Sequence, residues 1–390
     1  MHLGFVSYEF PPDTGQGGIA TYTKEVANAF ARMGTEVDVF VASPTRTGVE
    51  RLAPNHRIHF IQCDSREAFI RLSPERIRSI HQIMAFDGIE FPEYGAEARF
   101  IREALPDVPV WIKLHTPAYL VKQLNDRYYD RSWWRKIKKW IRPYQKEKDA
   151  EYNTLKIADR ILAPCDSMRS IAIRDWELDP EKVWTVPNPY QPSESFTSID
   201  LPDGSPTVIY VGRLETRKGV WNLAKAIPQV LKQIPEARFI FLGKDSRGPH
   251  RQRSMKKLLQ RAMAGCLDRV EFIDAVPLED VPKQMARASI AVFPSLWENF
   301  PNVCLEAMAA GRAIVASKEG GMAEMLTPCN GGVLVDPNDP TDIANGLIEL
   351  LRDPVSLREM GARNRERVVT YYGKALTGEL FDIYRKLSFH

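Results

Sequence analysis

Cysteine is scarce and scattered. The five residues, Cys63, Cys165, Cys266, Cys304 and Cys329, form no Cys-x-x-Cys pair and no Cys/His cluster. That spacing argues against a disulfide framework or a zinc knuckle and fits a reducing cytosol. Asp-x-Asp is absent, as are His-x-Glu and His-x-x-x-His, so a catalytic divalent ion held by the protein is disfavoured. Long apolar runs are missing too, and no membrane span is expected. The opening "MHLGFVSYEFPP" has no basic leader and no extended apolar core, and is not expected to be a signal peptide. Peripheral association with a membrane stays open. The net charge is only +3 over 390 residues. That is too little to point to nucleic acid, so any basic character must be local to matter.

What is present is globular. Hydrophobic residues make up 44% and charged residues 26% of the chain, and the length suggests two domains. The start reads as strand, Pro/Gly-rich loop, helix, strand: "HLGFVS", "YEFPPDTGQGG", "IATYTKEVANAFARMG" stopping at Gly34, then "EVDVFVAS". That order opens a parallel α/β sheet. Further buried strands are expected at "IHFIQC", "VPVWIKLH", "RILAPC" and "KVWTVPN". Residues 188–206, rich in Pro, Ser, Asp and Gly, read as an interdomain linker. A second α/β series follows from "TVIYVGRL" to "PTDIANGLIELLRD", and the chain closes in helix through "LTGELFDIYRKL". Two doubly wound halves place a ligand site at the carboxyl ends of the strands, in the cleft between the halves.

Four stretches have residues suited to chemistry. In "PPDTGQGGIATYT", Gly17 and Gly18 run directly into a helix, where free N–H groups could meet an anion; a flexible turn is the plain alternative. The spacing is neither the dinucleotide fingerprint nor a Walker loop. In "GRLETRKG", Arg213 and Lys218 lie between a strand and a helix, and both could converge on a diphosphate or simply be solvated. In "LWENFPNVCLEAMAAG", Glu298 and Glu306 stand eight positions apart. The first lies on the loop before a helix expected to be capped by Asn302, the second about one turn inside that helix. Paired carboxylates could be a glycosidase acid and base, a metal site or scaffolding. His115 ends an apolar run, and either opens into the cleft or caps a backbone group.

The fifth stretch, residues 127–148, has nine basic residues against two acids, with Trp133, Trp134, Ile137, Trp140 and Ile141 at helical steps. Three readings fit it: packing on its own domain, an interfacial helix on an anionic membrane, or a nucleic-acid surface.

Together these residues resemble the retaining glycosyltransferases of family 4, the glycosyl transferases group 1. The resemblance rests on "GG" before the first helix, "GRL…KG" after the linker, "FPSLWENFPNVCLEAMAAGRAIVAS" and the following "GGMAEML…GGVLVDPNDP". It runs over most of the chain and is closest from 207 to 340. It implies the GT-B fold, an α/β architecture of two Rossmann-like doubly wound domains facing each other across a cleft. The N-terminal domain, 1–190, would bind the acceptor and be completed by the last helix, about 373–390. Residues 191–372 would hold a nucleotide-diphospho-sugar, a UDP- or GDP-sugar.

By the same resemblance, Arg213 and Lys218 would hold the diphosphate in place of a metal. Glu306 would bind the ribose, and Glu298 the donor sugar with the backbone around Asn299 and Phe300. Asn302 and Val303 would meet phosphate at the helix start. Gly17 and Gly18 would close over the donor phosphate, and His115 would sit by the transferred sugar. Asp274, Ala275 and Val276 would lie by the base. Transfer would retain the anomeric configuration and need no cofactor. The acceptor would be a glycan or a lipid-linked intermediate of envelope or polysaccharide biosynthesis, handled in the cytoplasm or on the inner face of the membrane. No nucleic-acid partner is expected. Different-class alternatives are a non-catalytic nucleotide-sugar binder or a related GT-B epimerase or phosphorylase. The chain departs from the family pattern at "NPYQ", 188–191, and at Asp274 and Lys244, so the resemblance does not name the base.

Overall fold

The computed structural model describes residues 1–15, 17–126, 144–200, 206–246 and 254–388. The chain divides into two compact units. One comprises Met1–Ala118, Tyr144–Gln191 and Tyr372–His390; the other comprises Pro192–Tyr371 with residues 119–126. On sequence, residues 119–126 are expected in the first half; the structure groups them with the second unit.

The first unit is built on eight strands: β1 (His2–Ser7), β2 (Glu36–Ser43), β3 (Gly48–Ala53), β4 (His56–Gln62), β5 (Gly88–Pro92), β6 (Val110–Lys113), β7 (Arg160–Ala163) and β8 (Val183–Thr185). Their order is β3-β4-β2-β1-β5-β6-β7-β8, parallel except for the β3–β4 pair. The order reverses between β1 and β5, which makes that end of the sheet the natural ligand edge. The helix Gly18–Arg32 buries Ala20, Val26, Ala27 and Phe30, the apolar stripe of its sequence. It ends at Met33, and Gly34 follows at φ +81°, a conformation that favours glycine.

Strand β3, strand β5 and the helix Arg66–Ile83 are among the elements not expected from the sequence. Strand β3 is exposed along its length apart from half-buried Ala53, so it has no apolar face to read. Strand β5, "GIEFP", is fully buried yet has a glutamate at its centre and is bounded by Gly and Pro. Gly88 is required there, because a Cβ would stand 2.2 Å from the Trp111 ring. The helix Arg66–Ile83 is capped by Ser65, whose hydroxyl accepts from the Ala68 N–H, and runs through Pro74.

The second unit holds six parallel strands: β9 (Thr207–Val211), β10 (Arg238–Leu242), β11 (Val270–Ile273), β12 (Ile290–Phe293), β13 (Ala313–Ser317) and β14 (Gly332–Val335). Their order is β11-β10-β9-β12-β13-β14, with the reversal between β9 and β12. Its core joins Val208, Tyr210, Ile290, Val292 and Val315 of the strands to Leu223, Ile227, Leu259 and Leu347 of the covering helices. Each such aliphatic side chain contributes roughly 1.5–3 kcal/mol by leaving water.

The expected linker is not a free coil up to residue 200. The short helix Glu194–Thr197 buries Phe196, and Arg365 and Arg312 donate to the carbonyls of Ile199 and Asp200. Among the described residues no helix is long and apolar enough to cross a membrane, and no disulfide joins the five cysteines. Residues 127–143, most of the basic aromatic stretch, lie outside the described residues. Its described end is fastened locally: Trp176 Nε1 donates to Tyr144 Oη at 2.7 Å, and Lys146 pairs with Glu177 at 2.7 Å.

Candidate functional site

In the second unit the loops after β9 and β12 form one structure. Gly219 has φ +71°, and a Cβ there would stand 1.7 Å from the Pro294 carbonyl oxygen. The Leu296 N–H donates to the Arg217 carbonyl at 2.8 Å. A third loop, after β13, closes on the same place. Gly320 has φ +90°, a Cβ there would stand 2.1 Å from the Glu298 carbonyl oxygen, and the Gly321 N–H donates to that oxygen at 2.9 Å. Glycine is required where backbones meet this closely.

This framework holds an ion network. Lys218 Nζ lies 2.6 Å from Glu298 Oε1, and Arg217 Nη1 lies 3.3 Å from the same oxygen. Arg217 Nε is 2.8 Å from Glu215 Oε1, which also takes Arg213 Nη2 at 3.3 Å. Arg213 is 59% exposed while the Glu298 side chain is 9% exposed. Burial works against the charge on Glu298, but Lys218 and Arg217 overcome it and hold its pKa below the usual carboxylate value. Burial lowers the Lys218 pKa, with Glu298 opposing.

Glu306 behaves differently. Burial alone lifts its carboxyl to about 7. It lies within the helix Asn302–Ala309, whose N-cap is Pro301, with no side-chain cap and no acid in the first turn. Asn302 is therefore the first helical residue and not the cap expected from the sequence. Proline offers no capping oxygen, so the N–H groups at Asn302 and Val303 begin a helix end that is open to an anion. Gly311, at φ +66°, stops the chain just past the helix. Asn299 is buried and Phe300 half-buried.

Asp274, Ala275 and Val276 follow β11, the outer strand of the sheet. Asp274 is 83% exposed and lies 3.5 Å from Lys256 Nζ. These three residues stand apart from the ion network, beyond β10.

The first unit holds His115, Gly17 and Gly18. His115 follows β6. Its N–H donates to Glu93 Oε2 at 2.7 Å, and its ring meets Tyr22 edge-on with centroids 5.4 Å apart. Burial, with help from the Lys113 ammonium, lowers its pKa to about 3, so the imidazole is neutral near pH 7. Three acids tie the loops at this sheet edge: Glu93 to His115, Glu97 to the Tyr8 N–H at 2.9 Å, and Glu151 to the Gly95 and Ala118 N–H groups at 3.1 and 2.9 Å. Gly17 caps the helix Gly18–Arg32 without a side chain, and no acid stands in its first turn. A Cβ on Gly18 would meet nothing within 4 Å.

Residues 193–367 match the family described as "Glycosyl transferases group 1", and residues 16–194 match "Glycosyltransferase Family 4". The chain belongs to the family 4 glycosyltransferases. Among curated relatives, it is 26% identical over 415 residues to a D-inositol 3-phosphate glycosyltransferase of Catenulispora acidiphila, covering 96% of this chain and 91% of that one. It is 24% identical over 412 residues to the alpha-maltose-1-phosphate synthase of Mycolicibacterium smegmatis, covering all of both. Among solved structures, a sucrose-phosphate synthase from Thermosynechococcus elongatus superposes with TM-score 0.72 at 24% identity, covering 99% of this chain and 98% of that one. Anabaena HepE, solved with UDP and glucose, gives TM-score 0.68 at 15% identity, covering 99% and 100%. The fold of this family 4 glycosyltransferase is GT-B, two Rossmann-like α/β units.

The structure brings Lys218 and Glu298 into contact and links Arg213 to them through Glu215 and Arg217. The sequence reading of this glycosyltransferase passed over Arg217 and Glu215, which lie inside the quoted "GRLETRKG". It also passed over Glu93. The one signal for Arg217 was its place between two residues already singled out. Nothing local marks Glu93.

Proposed function

We propose that this glycosyltransferase moves a sugar from a nucleotide-diphospho-sugar to a hydroxyl acceptor, with retention and without a metal. The observation that carries the reading is the cationic loop Arg213–Lys218 joined to Glu298 beside an uncapped helix start. A diphosphate needs cations and free N–H groups, and both are supplied by the chain's own residues. Arg213 and Lys218 hold the diphosphate and stabilise it as it leaves. Asn302 and Val303 donate backbone N–H groups to phosphate. Glu298, kept ionised by its cations, takes hydroxyls of the donor sugar, with Asn299 and Phe300 contributing backbone. Glu306 takes the ribose hydroxyls, and the loop at Asp274, Ala275 and Val276 borders the base.

In the first unit, Gly18 leaves the helix N-terminus open to phosphate, with Gly17 before it. Neutral His115 accepts or donates a hydrogen bond at the sugar without bearing charge. In the transfer, the bond from the anomeric carbon to the diphosphate oxygen breaks and a bond from that carbon to the acceptor oxygen forms on the same face. The acceptor proton passes to the departing phosphate. HepE, a structural neighbour, was solved with UDP and glucose, which favours UDP-sugars as first candidates and leaves GDP-sugars next. The acceptor is a glycan or a lipid-linked intermediate, and the reaction belongs in the cytoplasm or at the inner face of a membrane.

A thermal-shift panel of UDP, GDP, dTDP and ADP with their sugars tests the reading. One nucleotide should stabilise the protein and its sugar should be slowly hydrolysed. Turnover should persist in EDTA, and the product's anomeric NMR coupling should match the donor's. No shift with any nucleotide would defeat the proposal.

A further inference from the structure

Glu298 Oε1 receives two cations, Lys218 at 2.6 Å and Arg217 at 3.3 Å. One of them is fixed. Arg217 is braced from its other side by Glu215 at 2.8 Å, and its own carbonyl is tied to the Leu296 N–H. Its side chain is only 10% exposed, and its guanidinium is committed to two carboxylates. Lys218 has no second carboxylate partner among the described residues, and a lysine is a mobile point charge on a flexible stem. Arg213, Arg217 and Lys218 face Glu215 and Glu298, so three cations meet two carboxylates and one positive charge is left over.

If Lys218 were the sole partner of Glu298, its move to a diphosphate would strand a buried carboxylate, which costs several kcal/mol. We propose that Arg217 is a positioning residue of the donor site: it is the permanent counter-ion of Glu298, and so releases Lys218 to engage the diphosphate. This rests on the nucleotide-sugar reading above. Arg217 acts through Glu298 and Lys218 and touches no substrate itself.

The test is calorimetric titration with the nucleoside diphosphate that the panel selects. In Arg217→Gln, Glu298 claims Lys218, and affinity for the sugar-free nucleotide falls by at least about tenfold. Arg217→Lys recovers most of it. The double variant Arg217→Gln/Glu298→Gln returns to within about threefold of wild type, because no carboxylate remains to hold Lys218. A merely structural arginine would not be rescued by removing Glu298, so failure of that rescue, or unchanged affinity in Arg217→Gln, overturns the proposal. Should Arg217→Gln not fold, Glu215→Gln loosens Arg217 without removing it and must show a smaller loss of the same kind.

A second readout needs no nucleotide. Reductive 13C-methylation follows the titration of Lys218, assigned by its loss in Lys218→Arg. Removing Arg217 should raise the Lys218 pKa, since a neighbouring cation has been withdrawn. An unmoved titration overturns the proposal. If wild type binds none of the four nucleotides, the donor reading falls, and this titration still decides whether Arg217 and Lys218 share Glu298.

Discussion

Lys218 and Glu298, 2.6 Å apart, come from loops after two different strands, β9 and β12, which adjoin at the strand-order reversal of their sheet. Their contact makes a cation and a carboxylate available at one point, and each has a separate task in the proposed transfer. Lys218→Ala should lower turnover by about 100- to 1,000-fold, the scale of losing one charge-stabilising group at a leaving oxygen. Circular dichroism should be unchanged, because Arg217 still neutralises Glu298. Full turnover in the folded variant would remove Lys218 from the mechanism.

Glu306 predicts a pH dependence. Its folded pKa is about 7, raised by burial from the ordinary glutamate value of 4.5. Between these values the folded state binds more proton than the unfolded one, so this group's contribution to stability falls as pH rises from about 4.5 through 7. Glu306→Gln should therefore raise the melting temperature of the ligand-free protein by roughly a few degrees at pH 8 and change it little at pH 4.5. Nucleotide affinity should move the other way in wild type, rising through pH 7 as the carboxylate forms, and the variant should lose that rise. His115, with its pKa lowered to about 3, should contribute no limb near neutrality to the pH–rate profile.

Two glycines separate folding from ligand binding. Gly219→Ala places a Cβ 1.7 Å from the Pro294 carbonyl oxygen at φ +71°, and should cost roughly 2–4 kcal/mol in denaturant unfolding. Gly18→Ala meets nothing within 4 Å, so stability should hold or rise by up to about 1 kcal/mol. Donor affinity in Gly18→Ala should nonetheless drop, because the methyl group occupies the space proposed for phosphate. Normal donor affinity there would withdraw Gly18 from the site.

The C-terminal helix Leu376–Ser388 closes the first unit through Tyr384, which donates to buried Glu90, as does Tyr22 at 2.8 Å. Burial raises the Glu90 pKa, with Lys113 and the two tyrosines opposing. Tyr384→Phe removes one donor from a buried acid and should destabilise the protein by roughly 1–3 kcal/mol. Chemical denaturation monitored by tryptophan fluorescence reports it; Trp111, one of eight tryptophans, meets the Tyr384 ring at 5.2 Å.

Much of this was visible in the sequence where one physical rule acts alone. Runs such as "EVDVFVAS" and "AIVAS" are buried on both faces and read as parallel strands. Gly311 read correctly as a helix stop. Elsewhere two requirements competed. Strand β5 had to hold Glu90 for Tyr22 and Tyr384, which erased its apolar run. Asn302 suits an N-cap, yet Pro301 before it has the extended backbone, φ −76° and ψ 120°, that the cap position needs. Glu215 pairs with Arg213 and Arg217 of its own loop, but Arg217 also meets Glu298 on another loop, across 81 positions. Local spacing does not encode such pairs.

The latch at Gly219, Pro294, Glu298 and Gly320 also bears on how such a chain can be altered. No one of its three loops can be exchanged alone, since each fits the backbone of another to within a carbonyl oxygen. In chimeras with other family members, grafting 212–219 without 294–298 and 319–321 should yield insoluble protein, whereas grafting all three together should not. For recombination, three segments scattered over more than a hundred positions behave as a single heritable cassette.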